Sequence, residues 1–164
     1  MNKNLKMFVR CAMLAAVACV LTMVPQIPNG AGGYVHFGDS IIYLAAATMG
    51  PIGGAIVGAV GHSMADFLSG YVVFVPATFV IKGIMGYVIG KIIYGHFTKK
   101  RFIAAAFAAL LIVVAGYFIA EIPLLGIDAA LISLVSSPIQ WLMSVIASAI
   151  IIPAVNKIIS MKKL

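Results

Sequence analysis

Charge is what this sequence has least of. Only 9% of its 164 residues are Asp, Glu, Lys or Arg, against roughly a quarter in a soluble domain. A chain so depleted has no polar surface with which to cover itself, and this excludes a water-soluble globule. Acids are the scarcer sign, four against eleven cations. Cysteine is nearly missing. Cys11 and Cys19 stand eight apart in one apolar run, which excludes a disulfide framework and a cysteine-built zinc site. No Walker A sequence is present, so the chain does not itself use ATP. Gly61-His62-Ser63-Met64-Ala65 is close to a serine-hydrolase elbow, but the final glycine is absent. His62 and Ser63 are also neighbours, and neighbouring residues on a helix point apart. No enzyme, no catalytic residue and no cofactor are expected.

What is present is apolar. The chain is 63% hydrophobic with a mean hydropathy of +1.16. A spanning helix needs about 20 apolar residues, and six would use roughly 120, leaving about 44 for ends and loops. This predicts an all-α membrane protein, one six-transmembrane-helix bundle over residues 1–164, without a soluble domain beside it. The basic start and apolar stretch resemble a signal peptide. Cys19 has a lipoprotein look, with Ala16 where a large aliphatic residue belongs. Because more apolar segments follow, an uncleaved first helix is expected.

The segments are bounded by turn residues. The first helix covers about 7–24 and stops at Pro25, before a loop rich in Pro, Asn and Gly up to Gly33. The second starts near Asp39, a suitable cap, and ends at Gly50-Pro51. The third covers about 52–68 and is broken by Ser69-Gly70. Pro76 opens the fourth, which reaches Tyr94. A basic connector covers 96–101. The fifth covers about 102–120 and ends before Pro123. Residues 124–134 read as a loop or short interfacial helix. The sixth covers about 136–159, with Pro138 in its first turn and Pro153 as a kink.

The cations fix the orientation. Lys3, Lys6 and Arg10 precede the first run, Lys91, Lys99, Lys100 and Arg101 surround the middle connector, and Lys157, Lys162 and Lys163 close the chain. Alternation across six helices puts ten of the eleven cations at one face. By the positive-inside rule that face is cytoplasmic, with both termini. The net charge of +7 is thus a topology signal, and no nucleic-acid partner is expected. Gly50, Gly54 and Gly58, and Gly86 and Gly90, are spaced by four. Such spacing lets helices pack closely in lipid, and internal packing is the expected role.

All four acids, Asp39, Asp66, Glu121 and Asp128, map to the outer half, as do His36, His62 and Lys82. Ionisable groups in a span face a cavity or one another. His62 and Asp66 are four apart, as are Asp39 and Tyr43, and Tyr117 and Glu121. Lys82 needs a carboxylate, and Asp66 is the expected partner. Two readings stay open: a buried pair that only fixes packing, or an outward polar pocket. Tyr34, Phe37, Tyr71 and Phe74 suit an interface belt as well as a pocket rim. Trp141 has the face to stack on a flat ring, and Gln140 the amide to bond its heteroatoms. His62, Asp66, His36 and Asp39 also offer the donors of a divalent metal, though none is assigned.

Tyr34-Val35-His36-Phe37-Gly38-Asp39-Ser40-Ile41-Ile42-Tyr43, then Gly50-Pro51-Ile52-Gly53-Gly54-Ala55, Gly61-His62-Ser63-Met64-Ala65-Asp66 and Lys82-Gly83 resemble the S components of energy-coupling factor (ECF) transporters. The chain is most similar to the riboflavin-type or hydroxymethylpyrimidine/pyridoxine-type family, over nearly its whole length. Ala12-Met13-Leu14-Ala15-Ala16 matches the family's AxxxA contact with the coupling subunit. The resemblance implies a substrate-capture subunit in the bacterial plasma membrane. It implies that a vitamin binds beneath the first loop, and that the subunit topples while docked on a transmembrane coupling subunit driven by two cytoplasmic ATPases. The pocket residues suit a small, flat, hydroxyl-bearing heterocycle: first a vitamin B6 form such as pyridoxine or pyridoxal, then hydroxymethylpyrimidine, then riboflavin. A metal-ion S component or permease and a ligand-free scaffold subunit are the alternatives.

Overall fold

The computed structural model describes residues 2–24, 26–30 and 32–161, with all their side chains except those of Lys3 and residues 156–161. Five helices dominate it: α1 (Lys3–Met23), α2 (Asp39–Leu68), α3 (Val75–Ile93), α4 (Lys99–Leu125) and α5 (Ile127–Met161). All five are long and apolar enough to cross a membrane. Between α1 and α2 lies a small antiparallel pair, β1 (Ile27–Pro28) and β2 (Tyr34–Val35). A 3₁₀ turn at Val72–Phe74 leads into α3.

α2 is a folded-back pair of arms. Gly50 has φ 79° and ψ −167°, a conformation that favours glycine. Pro51 then suits the first turn of a new helix, where no amide donor is needed. In a straight helix Asp39 and His62 would stand about 35 Å apart; here their side chains are 3.1 Å apart. The reversal falls where Gly50-Pro51 predicts it. The first arm, residues 39–49, rises only about 16 Å, roughly half a hydrocarbon core.

The second arm packs on α3 with almost no side chain between. A Cβ on Gly86 would come within 2.1 Å of the Gly54 carbonyl oxygen, and one on Gly58 within 2.4 Å of the Lys82 carbonyl oxygen. The four-residue glycine spacing therefore serves the internal seam. α1 packs on α2, α3 on α4, α4 on α5, and α5 returns to α2. The outer faces carry exposed Phe8, Met13, Ile52, Phe79, Phe107, Leu111 and Ile150, as lipid contact requires.

The chain departs from the sequence reading after residue 120. α4 continues through Pro123 to Leu125 and ends at Gly126, whose φ is 91°. α5 begins at Ile127, so most of the stretch read as a loop or short interfacial helix belongs to one long helix. Pro138 consequently lies inside α5 rather than in its first turn. A proline signals a stop in water, but helices in lipid tolerate it where neighbouring groups satisfy the freed carbonyl. The basic connector is also shorter than expected. Thr98 caps α4, accepting a 3.3 Å bond from the Arg101 amide, so Lys99, Lys100 and Arg101 form the first turn. The stop at Pro25 and the lysines Lys162 and Lys163 lie outside the described residues, and the Lys157 side chain outside the described side chains.

The helix ends sort the charge. Asp39, Asp66, Glu121 and Asp128 lie at one end of the bundle with the β pair. Lys6, Arg10, Lys91, Lys99, Lys100 and Arg101 lie at the other.

Candidate functional site

Lys82 is wholly buried on α3 and reaches the first arm of α2. Its Nζ donates to both carboxylate oxygens of Asp39, at 2.7 and 2.8 Å. This corrects the expected Lys82–Asp66 pair. Lys82 faces Gly58, and Asp66 is two turns further along the arm, about 12 Å away along the axis. The reversal at Gly50 brings Asp39 to the level of Lys82 instead. Gln140 of α5 donates to Asp39 Oδ2 at 3.0 Å, and His62 Nε2 stands 3.1 Å from Asp39 Oδ1. His62 Nδ1 meets the Gly58 carbonyl at 3.0 Å. Several elements therefore converge on one buried carboxylate. Charge-assisted bonds of this kind offset the cost of taking ions out of water.

Above this cluster, toward the acid-rich end, lies a cavity of about 50 Å³. Asn29, Gly33, Tyr34 and His36, from the connection between α1 and α2, form part of its wall. Tyr34 donates from its hydroxyl to Asp66 Oδ1. Gln26 donates to Ser69 at 3.0 Å, and Asn29 to Ser136 at 3.2 Å. The Tyr34 ring stacks against Tyr71 and His36, with centroids 4.7 and 5.5 Å away. His36 Nδ1 accepts the Gly38 amide hydrogen at 3.0 Å, so that nitrogen carries no proton. Burial pushes the His36 pKa well below its usual range, against the pull of Asp39. Burial and the neighbouring Asp66 carboxylate push the Tyr34 phenol up. Both therefore stay uncharged at neutral pH.

The predicted site residues divide into three groups. Tyr34, His36, His62, Asp66, Tyr117, Glu121 and Gln140 line the cavity. Asp39 and Lys82 form the ion pair behind it, with Lys82 5.5 Å from the centre of the Tyr117 ring. Tyr43 and Trp141 are not brought to the cavity. Tyr43 is fully buried in the apolar core, its ring 5.8 Å from that of Phe102. The Trp141 indole N–H donates to the Ala106 carbonyl of α4 at 2.7 Å, which turns the ring toward a helix seam.

The sequence reading missed Ser133, Ser136 and Ser137, which line the cavity with Gln140. Their spacing puts all four on one face of α5. A polar stripe in an otherwise apolar helix was the available signal, hidden because this stretch was split between a loop and a helix start. Thr22, Asn29 and Thr78 also line the cavity. Thr78 is 3.2 Å from the Tyr117 hydroxyl.

His36, Asp39 and His62 bring potential metal donors within 4.8 Å of one another. Both Asp39 oxygens, however, already accept from an ammonium, and His36 Nδ1 already accepts from an amide. A divalent ion would have to displace Lys82, so the donor set fits a metal poorly. The arrangement is suited to hold a polar molecule by hydrogen bonds. At about 50 Å³ the cavity is far smaller than the several hundred Å³ of a usual ligand pocket. A larger molecule requires the cavity to widen. At the other end, Ala12 and Ala16 are exposed on α1, while Cys11, Ala15 and Ala18 face inward.

The family model described as "ECF-type riboflavin transporter, S component" matches residues 2–159. An "Uncharacterized protein in gap 3'region" of Pyrococcus woesei is 36% identical over 99 residues, which cover 60% of this chain and 66% of that protein.

Proposed function

Since the chain belongs to the ECF-type riboflavin transporter S component family, we propose that it captures a small vitamin from outside the cell and hands it to an ECF coupling module. The family is one of transporter subunits rather than enzymes. The observation that carries the reading is the cavity, a polar space in an apolar bundle, at the end opposite the cations.

In this reading the chain crosses the bilayer six times. The two arms of α2 count separately, and the short first arm is completed by the segment before Asp39. Both termini are cytoplasmic, because the basic end is the inner one. The membrane is a bacterial plasma membrane. The cavity then opens outward. Ala12 and Ala16 form the contact with the transmembrane coupling subunit, where small side chains permit close approach. Two cytoplasmic ATPases supply the energy that this chain has no motif to use.

The substrate is a flat, hydroxyl-bearing heterocycle. The family's name puts riboflavin first, ahead of the vitamin B6 forms and hydroxymethylpyrimidine that the pocket chemistry also suits. Phe74 and the tyrosines Tyr34 and Tyr117 offer ring faces, and the α5 serines offer partners for hydroxyls. Mass spectrometry of the detergent-solubilised protein tests this. An aromatic vitamin should copurify. Only lipid and detergent in every preparation, with no vitamin bound on addition, supports the scaffold reading instead. Chelator-sensitive binding of a metal ion would support the metal-permease reading.

A further inference from the structure

The charge of the cavity narrows the ligand further, an inference that rests on the vitamin-capture reading. Among the described lining residues there is no lysine or arginine. Lys82 is wholly buried behind Tyr117 and committed to Asp39. His62 Nδ1 meets the Gly58 carbonyl, while its Nε2 lies 3.1 Å from Asp39 Oδ1 without making a hydrogen bond, and His36 Nδ1 accepts from the Gly38 amide.

Two carboxylates, by contrast, face the cavity. Asp66 and Glu121 are 5% and 4% exposed. Thr78 and Ser133 line the same cavity. Even so, Asp66 Oδ2 and Glu121 Oε2 accept no hydrogen bond, and the Thr22 hydroxyl and His62 Nε2 of the same lining also make none. Buried polar atoms are nearly always bonded, and an ionised carboxylate only accepts. The entering molecule therefore meets two carboxylates that need donors and no lysine or arginine that would neutralise an anion.

We propose that this site takes the free alcohol form of its vitamin and rejects the phosphate ester of the same molecule. Ligand hydroxyl hydrogens satisfy Asp66 Oδ2 and Glu121 Oε2. A phosphate carries nearly two negative charges at neutral pH and has acceptors where donors are needed. The same two carboxylates repel it, in a space where water screens little.

The test uses the purified full-length protein and three pairs of probes: riboflavin, pyridoxine and hydroxymethylpyrimidine, each with its monophosphate. Riboflavin and its phosphate are titrated by fluorescence quenching, and the others by calorimetry. For whichever alcohol binds, the phosphate should bind at least about a hundredfold more weakly. Asp66→Asn and Glu121→Gln each replace a repelling oxygen by an amide donor, and each should narrow that gap by about tenfold. The wild-type comparison decides the matter even if a variant fails to fold. An alcohol and its phosphate binding equally well would overturn the charge inference and leave vitamin capture standing. Binding of none of the six would overturn both.

Discussion

The seam between the second arm of α2 and α3 and the face that α5 turns to the cavity solve opposite problems. At the seam, Gly54, Gly58 and Gly86 let backbones touch, and shape alone decides the fit. On α5, Ser133, Ser136, Ser137 and Gln140 border an open space. Lipid offers no hydrophobic drive for helix association, so close packing must supply the stability. A bundle that needs a cavity therefore gains from concentrating its tight packing elsewhere. Asp39 lies where the two regions meet, taking Lys82 from the seam and Gln140 from the cavity side.

This division predicts graded effects. The largest belongs to the buried pair. Lys82→Met leaves Asp39 buried without its ammonium, and loss of one partner of such a pair costs about 3–5 kcal/mol. The protein should lose most of its thermal stability in detergent, and adding Asp39→Asn should restore part of it. If Lys82→Met melts like the wild type, the pair does not hold the two regions together. Next comes Gly86→Val at the seam. Overpacking there should destabilise by about 1–3 kcal/mol or more, measured by the same melting curves. A wild-type melting temperature would mean that the seam is looser than its glycines indicate.

Changes on the cavity side should spare stability and act on binding. Asp66→Asn removes one charge facing the ligand and weakens its bond to Tyr34. Vitamin affinity should fall about tenfold, near 1.4 kcal/mol, with the melting curve little changed. Ser137→Ala should cost less, about 0.5–1.5 kcal/mol of affinity. The smallest effect on binding belongs to a surface remote from both regions. Leucine at Ala12 and Ala16 should leave vitamin affinity unchanged and abolish copurification with the coupling subunit. If copurification persists, these alanines are ordinary lipid-facing residues.

Much of this was legible in the sequence because glycine, proline and charge act locally. Gly50-Pro51 marked the reversal, Ser69-Gly70 the end of α2, and the cations the basic end. Seven of the eleven residues named for binding line the cavity. The failures came from choices made by distant parts of the chain. Lys82 was offered two carboxylates, and only the three-dimensional fold-back at Gly50 shows that Asp39 is nearer than Asp66. Pro123 and Pro138 read as helix boundaries, yet both lie inside helices. That misplaced start hid the serine stripe of α5. Trp141 has the chemistry of a ring-stacking residue, and its rotation toward Ala106 depends on how α4 and α5 pack.

The central claim is that the polar cavity opens outward and holds the vitamin. Accessibility of one cavity residue in intact cells tests it most directly. Ser137→Cys, in a protein with Cys11 and Cys19 replaced by alanine, is exposed to a membrane-impermeant thiol reagent with and without the vitamin. Labelling from outside is expected, with protection by the vitamin at concentrations that saturate binding. Labelling only after the cells are lysed, or labelling that saturating vitamin leaves unchanged, would contradict it.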